Sequence, residues 1–132
     1  MRLVEHPRII QFRGQSVDTG KWLYGSLVFV EDKPHIYVGH CFVEVKSETI
    51  GQFIGIADSA GTFIYDGDVI SVNGKYEKIV SFRSDRAGFC LANVSDLKNS
   101  AWMDIWQSPH VSWWNDFRSE IKVVGNIFEE RN

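Results

Sequence analysis

The stretch GQFIGIADSAGTFIYDGDVI, residues 51–70, decides the fold class of this chain. Two apolar runs flank Asp58-Ser59-Ala60-Gly61, in which an aspartate opens a turn and a glycine closes it. Asp66-Gly67-Asp68 forms a second tight corner, and an apolar run follows it. Aspartate and glycine at such positions are typical of the short turns that join antiparallel strands. The stretch therefore predicts a strand–turn–strand unit that opens a small, mainly β domain.

The sequence on either side of this stretch continues the β pattern. The runs 21–30 and 35–45 are rich in aromatic and β-branched residues, which favour strands. Asn73-Gly74 predicts a two-residue hairpin turn, because both residues tolerate a positive φ angle. Further strands are predicted at residues 9–13, 50–56, 62–65, 69–72, 76–82, 89–91 and 121–128.

Residues 93–118, called the Trp-rich segment below, interrupt the β pattern. Apolar residues recur there at spacings of three and four: Val94, Leu97, Ala101 and Ile105. This spacing is typical of a helix, and Ser95 is a suitable residue for its N-terminal cap. The pattern predicts one short helix near residues 94–107.

The composition indicates one ordinary globular domain of 132 residues with a net charge of −3. An acidic balance gives the whole molecule no attraction to a polyanion. Two cysteines, Cys41 and Cys90, are too few for a disulfide framework. The N-terminal MRLVEHPRII lacks the apolar core of a secretory signal, and no run approaches the roughly 20 apolar residues of a membrane span. We expect a cytoplasmic protein without a cofactor or membrane contact.

Three blocks of the chain follow one another in a recognisable order. The first lies in residues 10–27 and contains Phe12-Arg13-Gly14, then Trp22, Tyr24, Gly25 and Leu27. The second is the stretch at residues 51–70, and the third is Val123-Val124-Gly125-Asn126-Ile127-Phe128-Glu129. Together they resemble the YopX family of small proteins, which are typically encoded by bacteriophages and prophages. Residues 101–118, the larger part of the Trp-rich segment, align with no feature of that family.

The resemblance implies a fold and leaves the activity open. It implies a single YopX-like domain over residues 1–132, with an N-terminal β segment at 9–45. An SH3-like β roll or barrel at residues 50–128 follows that segment and contains the Trp-rich segment as an excursion. The resemblance implies no catalytic residue. We expect an accessory protein of a phage or prophage in a bacterial host cell.

Two groups of polar residues suggest metal or acid–base chemistry. The first group is His35, His40, Cys41 and Glu44, and the second is Asp58, Asp66 and Asp68. The first group lacks the regular spacing of structural metal ligands. Each aspartate of the second group occupies a position where turns alone favour aspartate, as an acceptor for nearby backbone N–H groups. We therefore predict no metal site and no catalytic residue, and a small metal- or carboxylate-dependent enzyme is the least favoured interpretation.

Four tryptophans crowd into the Trp-rich segment: Trp102, Trp106, Trp113 and Trp114. Tryptophan dominates both protein cores and interfaces. One interpretation is a lid that buries these side chains against the β roll, and the other is a surface that binds a partner. On the second interpretation, the protein is a homo-oligomer that acts by protein–protein contacts and can also bind a host or phage protein.

A basic and aromatic stretch supports an alternative function. Its residues are Lys75, Tyr76, Lys78, Phe82, Arg83 and Arg86. Small β barrels bind single-stranded nucleic acid by stacking bases on aromatic rings beside basic groups. Glu77 and Asp85 dilute the charge, so that a solvated strand face is the favoured interpretation. A weak single-stranded nucleic-acid-binding module is therefore kept as the alternative.

Overall fold

The computed structural model describes residues 8–110, 112–117 and 120–129. The chain divides into two compact units, of which the first ends at Gly55 and the second begins at Ile56. Both units consist mainly of antiparallel strands, which confirms the predicted mainly β fold class. The predicted N-terminal β segment ended at residue 45 and the roll began at residue 50, so the division lies inside the predicted roll. The assignment of both parts to one domain stays a prediction.

The first unit is an antiparallel sheet. Its strands are β1 (Phe12–Gln15), β2 (Trp22–Val30), β3 (Lys33–Val38), β4 (Cys41–Glu44) and β5 (Gly51–Ala57), the last of which continues past the division. The strand order is β4-β3-β2-β1-β5. Ile36, Val45 and Phe53 supply the buried apolar side chains of this unit. Gly25 is needed on β2, since a Cβ atom there would lie 2.2 Å from the carbonyl oxygen of Tyr37.

The single strand predicted at residues 35–45 is wrong, because the chain reverses within it. Gly39 and His40 have φ angles of 57° and 64°, which form a two-residue turn between β3 and β4. The turn sets Tyr37 opposite Phe42, and His35 opposite Glu44. The first strand also begins later than predicted, at Phe12.

The second unit contains a four-stranded antiparallel sheet in the order β10-β7-β8-β9. The strands of this sheet are β7 (Asp68–Val72), β8 (Tyr76–Arg83), β9 (Gly88–Asn93) and β10 (Ile121–Asn126). A short strand, β6 (Phe63–Tyr65), precedes them and lies outside the sheet. Asn73 and Gly74 have φ angles of 56° and 68° between β7 and β8, which confirms the predicted hairpin. Ile70, Val80 and Ile121 are fully buried in this unit.

The helix predicted near residues 94–107 is wrong in its type and its length. Residues Val94–Asn99 form a 3₁₀ helix, and turns follow it. Asn93 precedes the helix and makes no capping hydrogen bond with its side chain, while Ser95 lies inside the helix. Gln107 exchanges two backbone hydrogen bonds with Leu91 at the edge of β9, which requires an extended chain there. A five-residue α-helix, α1, covers Trp113–Phe117.

Candidate functional site

Asp58 joins two distant parts of the second unit. Its Oδ1 atom accepts hydrogen bonds from the backbone N–H groups of Ala60 and Thr62, at 2.9 and 2.8 Å. Its Oδ2 atom accepts one from the N–H of Val123 on β10, at 2.9 Å. Burial raises the pKa of the Asp58 carboxyl, but these three donors and the charge of Lys122 outweigh it and hold the pKa below its ordinary value. Asp58 thus builds its turn, as predicted, and also fastens that turn to the C-terminal strand.

The other two aspartates of the stretch also bind backbone groups. Asp68 is buried, and its Oδ2 atom accepts a hydrogen bond from the N–H of Tyr65 at 2.7 Å. Asp66 accepts one from the N–H of Phe82 at 3.2 Å. The interpretation of these residues as turn builders therefore agrees with their geometry.

The polar residues of β3 and β4 are dispersed. His35 donates a hydrogen bond from Nδ1 to the carbonyl oxygen of Lys33 at 2.8 Å, whereas His40 lies in the following turn, 3.5 Å from the Tyr37 hydroxyl. Within residues 8–110, 112–117 and 120–129, no three histidine, cysteine or carboxylate side chains form a group suited to a metal ion. Of the two free cysteines, Cys41 is exposed and Cys90 is buried.

Trp102 is the most exposed tryptophan of the Trp-rich segment, with 72% of its surface accessible. Leu97 and Met103 nearby are 45% and 44% exposed. The N–H groups of Trp102 and Met103 both donate to the carbonyl oxygen of Asn99, and that of Ser100 donates to Leu97. The three apolar residues therefore belong to one compact run of turns. We call Leu97, Trp102 and Met103 the Trp102 patch.

Trp113 and Trp114 lie apart from this patch in the sequence and contact each other. Their ring centroids are 4.9 Å apart in an edge-to-face arrangement, and Phe117 packs on Trp113 at 5.4 Å. Both tryptophans are half-buried. Ser112 precedes α1 and donates a hydrogen bond to Asp116 at 2.9 Å. The rings of this small aromatic cluster therefore pack against one another.

The structure brings together two sets of residues that the sequence kept separate. The guanidinium carbon of Arg83 lies 4.7 Å from the centre of the Trp106 ring, and Arg86 forms an ion pair with Asp104. A hydrogen bond from the N–H of Trp106 lowers the pKa of Asp104, and the charge of Arg86 lowers it further. The hairpin between β8 and β9 thus holds residues 104–107 in place. Residue spacing gave no signal of this contact.

The residues of the basic and aromatic stretch on β8 are divided between its two faces. Tyr76, Lys78 and Phe82 lie on one face of β8, and Arg83 lies on the other face. Lys78 donates a hydrogen bond from Nζ to the side chain of Asn93 at 2.8 Å. Tyr76 is 62% exposed and, with Lys75, lines an open groove of about 640 Å³ that Glu77 and residues 93–95 complete.

An exposed hairpin in the first unit was missed by the sequence reasoning. Phe29 and Val30, at the end of β2, are 64% and 40% exposed. Glu31 and Asp32 form the turn to β3, with φ angles of 52° and 64°. The only sequence signal was a polar break after a strongly apolar strand. We call residues 29–33 the β2–β3 arm.

Comparison with protein families gives a match over most of the chain. The family model described as "YopX protein" matches residues 11–132. No curated protein matches the chain. In the part of the chain that the structure describes, no helix has the length and apolar character needed to cross a membrane.

Proposed function

Since the chain belongs to the YopX family, we propose that it is a non-enzymatic accessory protein of a bacteriophage or prophage. It acts through protein–protein contacts in the cytoplasm of the bacterial host and associates with itself. A second phage or host protein can share the same contact surface. The exposure of Trp102 within the Trp102 patch is the observation that carries this proposal.

An exposed indole with two exposed apolar residues near it in the sequence favours a contact function. A tryptophan side chain can bury 150–250 Å² when a partner covers it, which is more than its neighbours Leu97 and Met103 can. Tryptophan is also enriched among the few residues that contribute most of the binding energy of an interface. The Trp102 patch is followed in the sequence by Asp104 and Trp106, which contact Arg86 and Arg83. A surface that is both apolar and held in place loses little entropy on binding.

The polar candidates support a binding role more than a catalytic one. Asp58, Asp66 and Asp68 accept hydrogen bonds from backbone N–H groups, and Asp58 uses both of its oxygen atoms in this way. A general base needs its carboxylate within reach of a substrate proton. These carboxylates instead accept hydrogen bonds from the protein backbone.

The SH3-like roll at residues 50–128 is retained as part of the proposal. The antiparallel order β10-β7-β8-β9 supports it, together with the hairpins at Asn73-Gly74 and at residues 84–87. On this view the Trp-rich segment is an insertion into the roll, between β9 and β10, and it carries the contact surface.

Light scattering after size-exclusion chromatography tests the proposal. We expect the wild-type protein to have a mass above that of one chain and Trp102→Ser to be a monomer at the same concentration. Loss of a dominant interface tryptophan costs about 2 kcal/mol or more, which weakens association roughly 30-fold. Tyr76→Ser is the matched control, because Tyr76 is a similarly exposed aromatic outside the patch. A wild-type protein that stays a monomer at high concentration contradicts self-association.

Single-stranded nucleic-acid binding is the alternative function, and the groove beside Lys75 and Tyr76 is the observation that favours it. Three cations of the original set already have partners within the fold, namely Lys78, Arg83 and Arg86. Titration of single- and double-stranded oligonucleotides across a salt series tests this function. Absence of binding at low salt eliminates it, because phosphate contacts are strongest there.

A further inference from the structure

The β2–β3 arm is a preformed and uncovered element. Phe29 and Val30 are adjacent on a strand, so their side chains point to opposite faces of the hairpin. Both are exposed, at 64% and 40%, so the described residues leave both faces of the arm accessible. The backbone pairs of Phe29 with Pro34 and of Val30 with Lys33 hold the hairpin in register to its tip. The arm therefore presents a large aromatic ring on an ordered support.

The turn residues of the arm are not those that the turn alone favours. A hairpin turn with two positive φ angles favours Asn-Gly, and the chain uses Asn73-Gly74 in that way between β7 and β8. The arm has Glu31 and Asp32 at the equivalent positions, with φ angles of 52° and 64°. Glutamate is less favourable there than glycine, asparagine or aspartate, so Glu31 is the unusual residue of this turn. A glutamate in such a conformation suggests that its carboxylate has a role beyond the turn.

The Trp102 patch has the complementary chemistry. Its centre is apolar, and exposed Lys98 lies beside Leu97 in the 3₁₀ helix. The neighbouring carboxylates already have partners, since Asp96 accepts a hydrogen bond from Asn93 and Asp104 is paired with Arg86. The charge of Asp104 is compensated by Arg86, whereas the neutral Asn93 amide leaves the charge of Asp96 in place. Exposed Lys98 is the cation of this 3₁₀ helix that an approaching acidic group meets.

We propose that the β2–β3 arm of one copy docks on the Trp102 patch of a second copy of this chain. Phe29 packs against the indole of Trp102, and Glu31 and Asp32 lie near Lys98 at the rim of the contact. The inference rests on the proposed self-association and names its occupant. One chain carries both the acidic aromatic arm and the apolar patch with its lysine, which is why a second copy is the occupant.

The contact joins two different surfaces, the arm of one copy and the patch of another. Each copy that binds a neighbour through its arm still has its own patch, which either the arm of the same neighbour or that of a third copy fills. Reciprocal contacts give a two-fold dimer, and head-to-tail contacts close into rings or continue as filaments. In a two-fold dimer that pairs patch with patch, the arm makes no contact across the interface. The two arrangements therefore give different results when defective variants are mixed.

Mixing an arm variant with a patch variant tests the inference. Phe29→Ser and Trp102→Ser are each expected to be monomers at a concentration where the wild-type protein assembles. An equimolar mixture is expected to give the mass of two chains and nothing larger, by light scattering. The intact arm of the Trp102→Ser chain fits the intact patch of the Phe29→Ser chain, and the remaining arm and patch are both defective.

Two further variants keep the result interpretable. The double variant Glu31→Lys, Asp32→Lys is a second arm variant that leaves Phe29 in place, and it is expected to weaken assembly more at low salt than at high salt. Phe42→Ser is the control, because Phe42 is 57% exposed in the same unit but outside the arm. Circular dichroism of every variant checks that it is folded.

The outcomes separate the inference from the function on which it rests. A wild-type monomer at every concentration overturns both. Wild-type assembly that Trp102→Ser abolishes and Phe29→Ser leaves unchanged overturns the arm contact and leaves the proposed function standing. Two monomeric variants whose mixture stays monomeric also overturn the arm contact, because an intact arm and an intact patch are then both present and do not associate. Dissociation by Phe42→Ser alone places the interface on the sheet face and overturns the inference as well.

Discussion

The turn at Asp58 and the Trp102 patch use their side chains in opposite ways. Asp58 directs both carboxylate oxygens inward to three backbone N–H groups, and one of these lies 65 residues away on β10. Trp102 directs its indole outward and leaves 72% of it accessible. The first region contributes to the stability of the fold, and the second offers surface to a partner. The most recognisable part of the sequence therefore marks the architecture, while the candidate site lies in the Trp-rich segment, which the YopX family model also covers.

The largest effect on stability is expected at Asp58. Asp58→Asn removes the charge that strengthens three hydrogen bonds and replaces one acceptor oxygen with an amide that cannot accept the N–H of Val123. We expect a loss of about 3 kcal/mol in the free energy of unfolding. Urea denaturation of the variant and the wild-type protein, monitored by circular dichroism, measures the difference.

Two controls relate this result to the comparison. Asp66→Asn affects one hydrogen bond of 3.2 Å, so its cost is expected to stay below about 1 kcal/mol. Trp102→Ser changes an exposed side chain and is expected to alter stability by less than about 0.5 kcal/mol in dilute protein. If Trp102→Ser destabilises the monomer as much as Asp58→Asn does, the indole belongs to the core and the distinction between the two regions fails.

The sequence predicted those parts of the fold that depend on local turn chemistry. Asn73-Gly74 gave the correct hairpin because its two residues favour the backbone angles that the turn needs. The same reasoning missed the turn at Gly39-His40, since the apolar residues on both sides suggested one continuous strand. The helix at residues 94–107 failed for a different reason. Its spacing was helical, but pairing of Gln107 with Leu91 holds the end of that run in an extended form.

The candidate site could be predicted only as a list of residue types. Four late tryptophans indicated a core or an interface, but only the structure separates exposed Trp102 from half-buried Trp106. The contact of Arg83 with Trp106 joins residues 23 positions apart through the register of β8 and the path of a loop. No periodicity in the sequence encodes such a pairing. The exposure of Phe29 was likewise hidden in the sequence. Phe29 is as apolar as Leu27 and Val28 before it, although those two residues are half-buried.

The pH dependence of stability sharpens the role of Asp58. Its pKa is lower in the folded protein than the value of about 3.9 in an unfolded chain. Folding therefore gains stability from the ionised carboxylate above that unfolded value, and the gain is lost as the pH falls through the folded pKa. We expect the stability difference between wild type and Asp58→Asn to be constant near neutral pH and to shrink below about pH 4. Urea midpoints between pH 2.5 and 7 measure it. A difference that does not change over this range shows that the charge of Asp58 has no part in the stabilisation.

The smallest expected effect concerns the support of the Trp-rich segment. Arg83→Met keeps the aliphatic stem but removes the guanidinium that lies over Trp106. A cation–π contact at a partly exposed site contributes about 0.5 kcal/mol, so the global stability changes by no more than that. The local effect is clearer, because the contact holds the segment that pairs with the edge of β9. We expect faster hydrogen exchange at the Gln107 amide, which donates to Leu91 at 2.8 Å, with no change at the Val123 amide that Asp58 binds.

Lys75→Met is the control for loss of one positive charge. Unchanged exchange at Gln107 in Arg83→Met means that the Leu91 pairing holds the segment by itself. In that case the β8–β9 hairpin does not act as the support of the Trp102 patch.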